Sequence, residues 1–266
     1  MTLTVGSLFS GIGGLDLGLQ RAGMEIKWQV ENDNYCRRIL TKHWPDIPKW
    51  SSVETFPPFD WPEDLLRVDL VCAGWPCQDI SSQGKRAGLK GEKSGLFFEV
   101  IRVARLLRPR ILLLENTPML LRGEMGVVLG ELAQVGFDAE WHCIPAASVG
   151  APHVRDRCFT IGTLRSNSDG GGCEATGEFW SQHQRANPPG GGKAGDTHKV
   201  VAGDSGQRKL ERFRETIGAS QWGTQSGVDR ILDGVPRRVQ RIKALGNSVC
   251  PQVAEFIGGL IVESVQ

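Results

Sequence analysis

The sequence contains no Cys-x-x-Cys pair, and its seven cysteines are an odd number. This excludes a zinc ribbon built on such pairs and argues against a disulfide framework, so no metal site is expected. Without a secretory leader, a chain with these free thiols belongs in a reducing compartment. Charge of one sign is missing too: 31 Lys and Arg face 30 Asp and Glu, for a net charge of +1. No global field marks a nucleic-acid binder, and such a partner would have to be met by a local patch. The N-terminus, Met1-Thr2-Leu3-Thr4-Val5, has no basic lead, and no apolar run reaches membrane-spanning length. The expectation is a soluble, cytoplasmic protein with no membrane partner. What is present is 266 residues, 40% of them hydrophobic. That is enough for one large domain, or a main domain carrying a smaller insert.

The pattern along the chain is that of a doubly wound α/β sheet. Leu3 to Phe9 reads as a strand, Ser10-Gly11-Ile12-Gly13-Gly14 as a glycine turn, and Leu15 to Ala22 as a helix. Glycines in such a turn let the backbone approach a ligand, and the helix N-terminus favours negative charge. The spacing is not the dinucleotide Gly-x-Gly-x-x-Gly pattern. Met24 to Val30 reads as a second strand ending in Glu31-Asn32-Asp33. Glu31 is placed to accept from a ribose, and Asp33 or Asn32 to cap the helix from Tyr35 to His43. A short third strand is expected near Ser52-Val53, and a fourth over Val68 to Ala73.

That fourth strand runs into Gly74-Trp75-Pro76-Cys77-Gln78. Gly74 and Pro76 stop the strand and force a turn. Cys77, taken alone, reads as a packed thiol; set on a rigid turn at a strand end, it is also where a nucleophile would stand. The following segment, 81 to 95, carries four glycines, with Lys85, Arg86, Lys90 and Lys93 against Glu92. It is a candidate lid. Leu96 to Leu107 is an amphipathic helix, and Ile111 to Leu114 a fully buried strand ending in Glu115-Asn116. Leu120 to Val135 is expected to be the next helix, interrupted by glycines, and Glu140 to Ile144 and Cys158 to Thr163 two closing strands. Between these, His153, Arg155 and Arg157 alternate as a basic comb. Ligands gather at the carboxyl edge of an open parallel sheet, so Glu31, Cys77 and Glu115 should face one crevice.

After Leu164 the composition turns to Gly, Ser, Asp and Asn through residue 206. The stretch 199 to 243 then holds ten Lys or Arg against five acids and is the candidate for phosphate contacts. Order returns from Arg237, with Leu245-Gly246-Asn247-Ser248-Val249, then Pro251 at the first turn of an apolar helix, Gln252 to Val262.

In this order the motifs resemble the DNA (cytosine-5)-methyltransferase family of restriction–modification type. Phe9-Ser10-Gly11-Ile12-Gly13-Gly14 resembles its motif I, and Glu31 fits the acid of motif II. Gly74-Trp75-Pro76-Cys77-Gln78 resembles motif IV, with Trp for the usual Phe. Glu115-Asn116-Thr117 resembles motif VI, and His153-Val154-Arg155-Asp156-Arg157 motif VIII, with His for the usual Gln. Gly246-Asn247-Ser248-Val249 with Pro251 resembles motif X. Motif III is met only by Ser52-Val53, and the place of motif IX falls at 228 to 236. The likeness covers residues 1–163 and 226–266.

The resemblance implies a Rossmann-like methyltransferase sheet with a small, irregular target-recognition lobe. Residues 1–163 would form the catalytic and cofactor-binding domain, 164–236 the target-recognition segment, and 237–266 a return helix packing on the catalytic domain. S-adenosyl-methionine would lie against Phe9 to Gly14, Glu31, Val53, Pro76, Asn247 and Ser248. Cys77, Glu115, Arg155 and Arg157 would be catalytic. Gln78, Ser81, Asn116 and His153 would contact the substrate, a cytosine flipped from double-stranded DNA. A thiolate at carbon 6 makes carbon 5 of cytosine nucleophilic, and a carboxyl proton at N3 eases the addition. A cognate restriction endonuclease, acting separately, would be the biological partner. A tRNA cytosine-5 methyltransferase on the same fold and a catalytically silent DNA-binding relative are the alternatives. An NAD-dependent oxidoreductase is a third, but it has no use for the Pro-Cys turn or the late Gly-Asn segment.

Overall fold

A computed structural model describes residues 2–76, 95–165, 209, 211–215 and 238–265. Seven strands form one sheet: β1 (Thr4–Leu8), β2 (Glu25–Val30), β3 (Lys49–Trp50), β4 (Leu70–Gly74), β5 (Ile111–Asn116), β6 (Phe137–Pro145) and β7 (Asp156–Leu164). Their order is β3-β2-β1-β4-β5-β7-β6. The pairings from β3 to β5 are parallel, and β7 runs antiparallel to both β5 and β6. Chain order reverses at β1, where β2 leaves to one side and β4 to the other, and ligand crevices form at such a switch point.

The helices α1 (Gly14–Arg21), α2 (Asn34–His43), α3 (Glu63–Leu66), α4 (Leu96–Leu107), α5 (Met125–Gln134), α6 (Arg238–Asn247) and α7 (Pro251–Val265) complete the described fold. β5 is buried along its whole length, as expected of a strand covered on both faces. One face packs Val5, Leu70 and Leu113 with Leu19 of α1 and Val253 and Ile257 of α7. The other packs Leu8, Val71 and Leu112 with Phe97 and Val100 of α4 and Val128 of α5.

Local chemistry explains several boundaries. Asp33, not Asn32, caps α2, accepting from the backbone N–H of Tyr35 at 2.8 Å and of Cys36 at 3.2 Å. Gly6 leaves room inside β1 for the Trp28 indole: a Cβ there would stand 2.0 Å from the ring, and the β1–β2 register shifts between Val5 and Gly6.

Three expectations need correction. The third strand is Lys49–Trp50, ahead of Ser52-Val53. Ser52 instead caps a 3-10 turn over Val53–Thr55, accepting from the Glu54 N–H. The helix expected from Leu120 is interrupted at the glycine at 123, as its glycines imply, but its first piece is a 3-10 turn that starts earlier, at Pro118–Arg122, and only α5 is an α-helix. β6 is longer than its apolar core, reaching back to Phe137 through the pairing of Asp138 with Thr163. The helix α6 was not anticipated, because its polar composition carries little apolar periodicity.

α7 packs along α1 and against the sheet. The interface is built from small residues. Gly18 of α1 lies against Ala254 and the Pro251 carbonyl, and Gly258 of α7 against Ala22. Val239–Val265 has the length and mean hydropathy, 1.2, of a membrane span. That stretch is broken at 248–250 between the two helices, and the apolar face of α7 is buried against α1 and the sheet.

Candidate active site

The turn after β1 is the first wall of the site. Phe9 adopts φ 53°, a left-handed conformation that a bulky residue seldom takes, and Gly11 and Gly13 follow at φ 57° and 85°. Strain of this kind at a strand–helix turn marks a position where backbone direction matters more than local comfort. Ser10 anchors the turn, its hydroxyl donating to the Ser7 carbonyl at 3.2 Å. Ile12 is half-buried, and Gly13 packs so tightly that a Cβ would meet the Trp44 ring at 2.5 Å.

Glu31, at the tip of β2, spans this turn. Its Oε2 accepts from the Gly11 N–H and its Oε1 from the Asp33 N–H, each at 2.7 Å. A carboxylate has about four acceptor positions, so two donors hold it in place and still leave it able to take a ribose diol. The third wall comes from the end of the chain. A Cβ on Gly14 would lie 2.4 Å from Ser248 Oγ and 2.6 Å from the Val249 carbonyl. Ser248, Val249 and the glycine turn, next to Asn247 in the chain, therefore meet at one edge. Lys243 of α6 also reaches Asp33 at 3.4 Å. Val53 is buried nearby in its 3-10 turn, and its carbonyl accepts from Arg102 Nη2 at 2.6 Å.

The chemistry gathers at the ends of β4, β5 and β7. Glu115 pairs in register with Gly74 on one side and Phe159 on the other. Gly74 has no side chain because the Glu115 carboxyl lies over it: a Cβ there would come 2.9 Å from Oε2. Arg157 Nε stands 2.8 Å from Glu115 Oε1. Burial nevertheless raises the carboxyl to about 7, against the opposing pull of Arg157 and then Arg155. Arg157 also donates from Nη1 to the Asp156 carbonyl at 2.7 Å.

Arg155 does not share that ion pair. Its Nη2 donates to the Gly246 carbonyl at 2.6 Å, tying the start of β7 to the end of α6. Its Nε is buried with no hydrogen-bond partner among the described residues. Burial and the neighbouring Arg157 both lower its pKa. Arg155 and Arg157 share a crevice with Val249 and Cys250. His153 is exposed just before β7. Asn116 is buried; its Nδ2 donates to the Trp75 carbonyl at 3.5 Å and its Oδ1 accepts from the Thr117 N–H at 2.8 Å. It braces the turn that carries Pro76, and Trp75 packs on Phe97 with ring centroids 5.1 Å apart. Cys77, Gln78, Ser81 and the candidate lid 81–95 up to residue 94 lie outside the described residues, as does the target-recognition segment 164–236 apart from 164–165, 209 and 211–215.

A buried polar cluster under the glycine turn went unforeseen. Asp16 of α1 is fully buried and accepts from Ser7 Oγ at 3.1 Å and Gln29 Nε2 at 2.7 Å. Burial pushes it up to about 6 despite those hydrogen bonds. In the sequence Asp16 reads as an ordinary acid in the first turn of a helix, and only the proximity of β1 and β2 reveals its role.

A doubly wound sheet with a lone antiparallel strand, holding a glycine turn and a buried acid at its carboxyl edge, is the architecture of a methyltransferase. Solved structures share it. The Entamoeba histolytica methyltransferase EhMeth aligns over 100% of this chain and 99% of its own, with a TM-score of 0.62 at 13% identity. The S. pombe Dnmt2 methyltransferase aligns over 98% of both chains, with a TM-score of 0.58 at 14% identity. These likenesses are of fold.

The sequence narrows the class: the chain belongs to the C-5 cytosine-specific DNA methylase family, whose model matches residues 3–209. The Type II methyltransferase M.CviJI of Paramecium bursaria Chlorella virus IL3A is 32% identical over 155 residues, covering 58% of this chain and 41% of its own. M2.BsuMI of Bacillus subtilis is 33% identical over 170 residues, covering 61% of this chain and 42% of its own. M.AquIA of Picosynechococcus is 31% identical over 173 residues and is covered to 70%. The chain thus spans less than half the length of the first two relatives.

Proposed function

We propose that this chain transfers a methyl group from S-adenosyl-methionine to carbon 5 of cytosine in DNA. The observation that carries the reading is Glu115: a buried carboxyl near neutrality, clamped by Arg157 and lying over Gly74 at the strand end that leads into Cys77.

S-adenosyl-methionine fits the residues present. The left-handed turn from Phe9 to Gly14, the fixed Glu31 carboxylate, Val53, Pro76 and the Asn247-Ser248 edge would hold it. When bound, it supplies the electrophilic methyl group. The remaining chemistry belongs to the protein. The Cys77 thiolate adds to carbon 6 of the base, breaking ring conjugation and making carbon 5 enamine-like. Glu115, protonated for part of the time near pH 7, donates to N3 and so relieves the negative charge that addition places on the ring. The same carboxyl accepts from the exocyclic amine, which separates cytosine from uracil and thymine. Arg157 keeps Glu115 oriented and offers its remaining donors to the ring oxygen. Arg155 holds β7 to Gly246, so the catalytic strand and the cofactor edge keep a fixed distance. A duplex hides both carbons in the stack, so the base must be flipped out. His153, Gln78, Ser81 and Asn116 are the substrate-side residues of this reading.

Residues 1–163 would act as the catalytic unit, 164–236 as the target-recognition segment, and 237–266 as the closing return. The Type II names of M.CviJI and M2.BsuMI support a modification role beside a separately acting endonuclease. The test is transfer of labelled methyl from S-adenosyl-methionine to duplex DNA and, separately, to tRNA. Label in DNA with wild type and none with Cys77→Ser is expected. Label in tRNA alone would replace the substrate, and label surviving in Cys77→Ser would remove the nucleophile.

A further inference from the structure

Cys143 and Cys158 face each other directly in the antiparallel β6–β7 ladder, and Cys158 is in turn opposite Asn116 on β5. Among the described residues they are the one pair of cysteines joined by strand register. Both are free thiols; Cys158 is buried and Cys143 is half-buried. They share the sheet face packed by Leu112, Leu114 and Trp141, opposite to the face that holds Arg157 and Phe159. None of the methyl-transfer chemistry uses either one.

We propose that Cys143 and Cys158 are a two-thiol oxidation site that closes to a reversible cross-strand disulfide when it meets a peroxide. Geometry permits the bond. Residues directly opposite in an antiparallel pair have Cα atoms about 4.5–5.5 Å apart, inside the roughly 4.4–6.8 Å range of disulfides. Cys143 is the entry point because it is the more exposed partner. Its sulfur is oxidised by the peroxide to a sulfenic acid, and one water leaves. Cys158 sulfur then attacks that sulfur, its proton leaves with the hydroxyl as a second water, and the S–S bond forms. Two thiols and one peroxide thus give one disulfide and two waters. Cys158 is a slow partner, its thiol pushed up by the neighbouring Cys143 and by burial.

The full chain, folded and treated with hydrogen peroxide, tests this by peptide mass. Cleavage after Arg and Lys places Cys143 in the peptide 123–155 and Cys158 in 158–165, each with a single cysteine. The expected product joins these two peptides with loss of two hydrogens and is undone by dithiothreitol. It should vanish in Cys143→Ser and in Cys158→Ala. The first of these changes a half-buried position, and its fold can be verified by circular dichroism. Oxidation of Cys143 to sulfinic acid with no joined peptide, or a cross-link formed only by other cysteines, would overturn the assignment.

Discussion

Arg157 Nε lies 2.8 Å from Glu115 Oε1, yet the carboxyl it pairs with is still raised to about 7. Burial outweighs the guanidinium, and the near-balance leaves an acid poised close to neutrality. Removing Arg157 takes away the largest opposing influence. Arg157→Ala should drive the Glu115 titration further up and cut methyl transfer by a factor on the order of 10²–10⁴, typical of a lost acid–base arrangement. The infrared stretch of the protonated carboxyl, followed against pH, reads the shift directly. A midpoint that stayed in place or fell would contradict the electrostatic account.

The same raised value has a stability consequence. Between its ordinary value of 4.5 and about 7, Glu115 holds more proton in the folded state than in the unfolded one. Its contribution is fully present below 4.5 and is lost as pH rises through 7, because stability falls wherever the native state binds more protons. Asp16, raised from 3.8 to about 6, acts in the same direction over its own window. Urea unfolding from pH 5 to 8 should therefore show declining stability, with a shallower slope in Glu115→Gln. An unchanged slope would mean that Glu115 titrates normally.

Asp16 discriminates charge from hydrogen bonding. It accepts from Ser7 and Gln29, and Gln29 Oε1 has no hydrogen-bond partner among the described residues. In Asp16→Asn, the Gln29 amide can turn over and offer that oxygen to the new N–H₂. Asp16→Asn should then be near-neutral at pH 8, whereas Asp16→Ala leaves two buried donors unsatisfied at about 1–3 kcal/mol each. Denaturant midpoints of the two variants, side by side, decide it.

Two glycines predict opposite signs. Gly14→Ala would press a methyl to 2.4 Å from Ser248 Oγ and 2.6 Å from a backbone carbonyl. Overpacking of this kind costs about 1–3 kcal/mol, and the Km for S-adenosyl-methionine should rise with it. Gly259, in α7, has nothing within 4 Å of its would-be Cβ. Gly259→Ala should stabilise by up to about 1 kcal/mol through helix propensity. Thermal melts of both check the two signs.

How much of this was legible beforehand depends on the range of the interaction. The strands around Val71, Leu113 and Ile161 were readable because continuous apolar runs are what a doubly covered sheet requires. Glu31 and Glu115 were readable because an acid closing such a run stands at the carboxyl edge. The ordered motifs named Arg157 and Ser248 as site residues, but not that Arg157 pairs with Glu115 or that Ser248 lies against Gly14. Distance in sequence hid the rest. Nothing local says that Gly74 is bare because Glu115 lies over it, that Arg155 belongs to Gly246, or that Asp16 is buried between Ser7 and Gln29. The short β3 was misplaced because two residues carry no period. α6 was missed because its Arg, Gln and Lys mask a helix with one buried side chain, Ala244.

The most direct test of the central claim is bisulfite sequencing of host DNA after expression of the wild type and, separately, of Cys77→Ser. The account predicts a fixed short motif protected as 5-methylcytosine with wild type and nowhere with the variant. The same motif protected in both strains, or cytosines converted throughout in both, would contradict it.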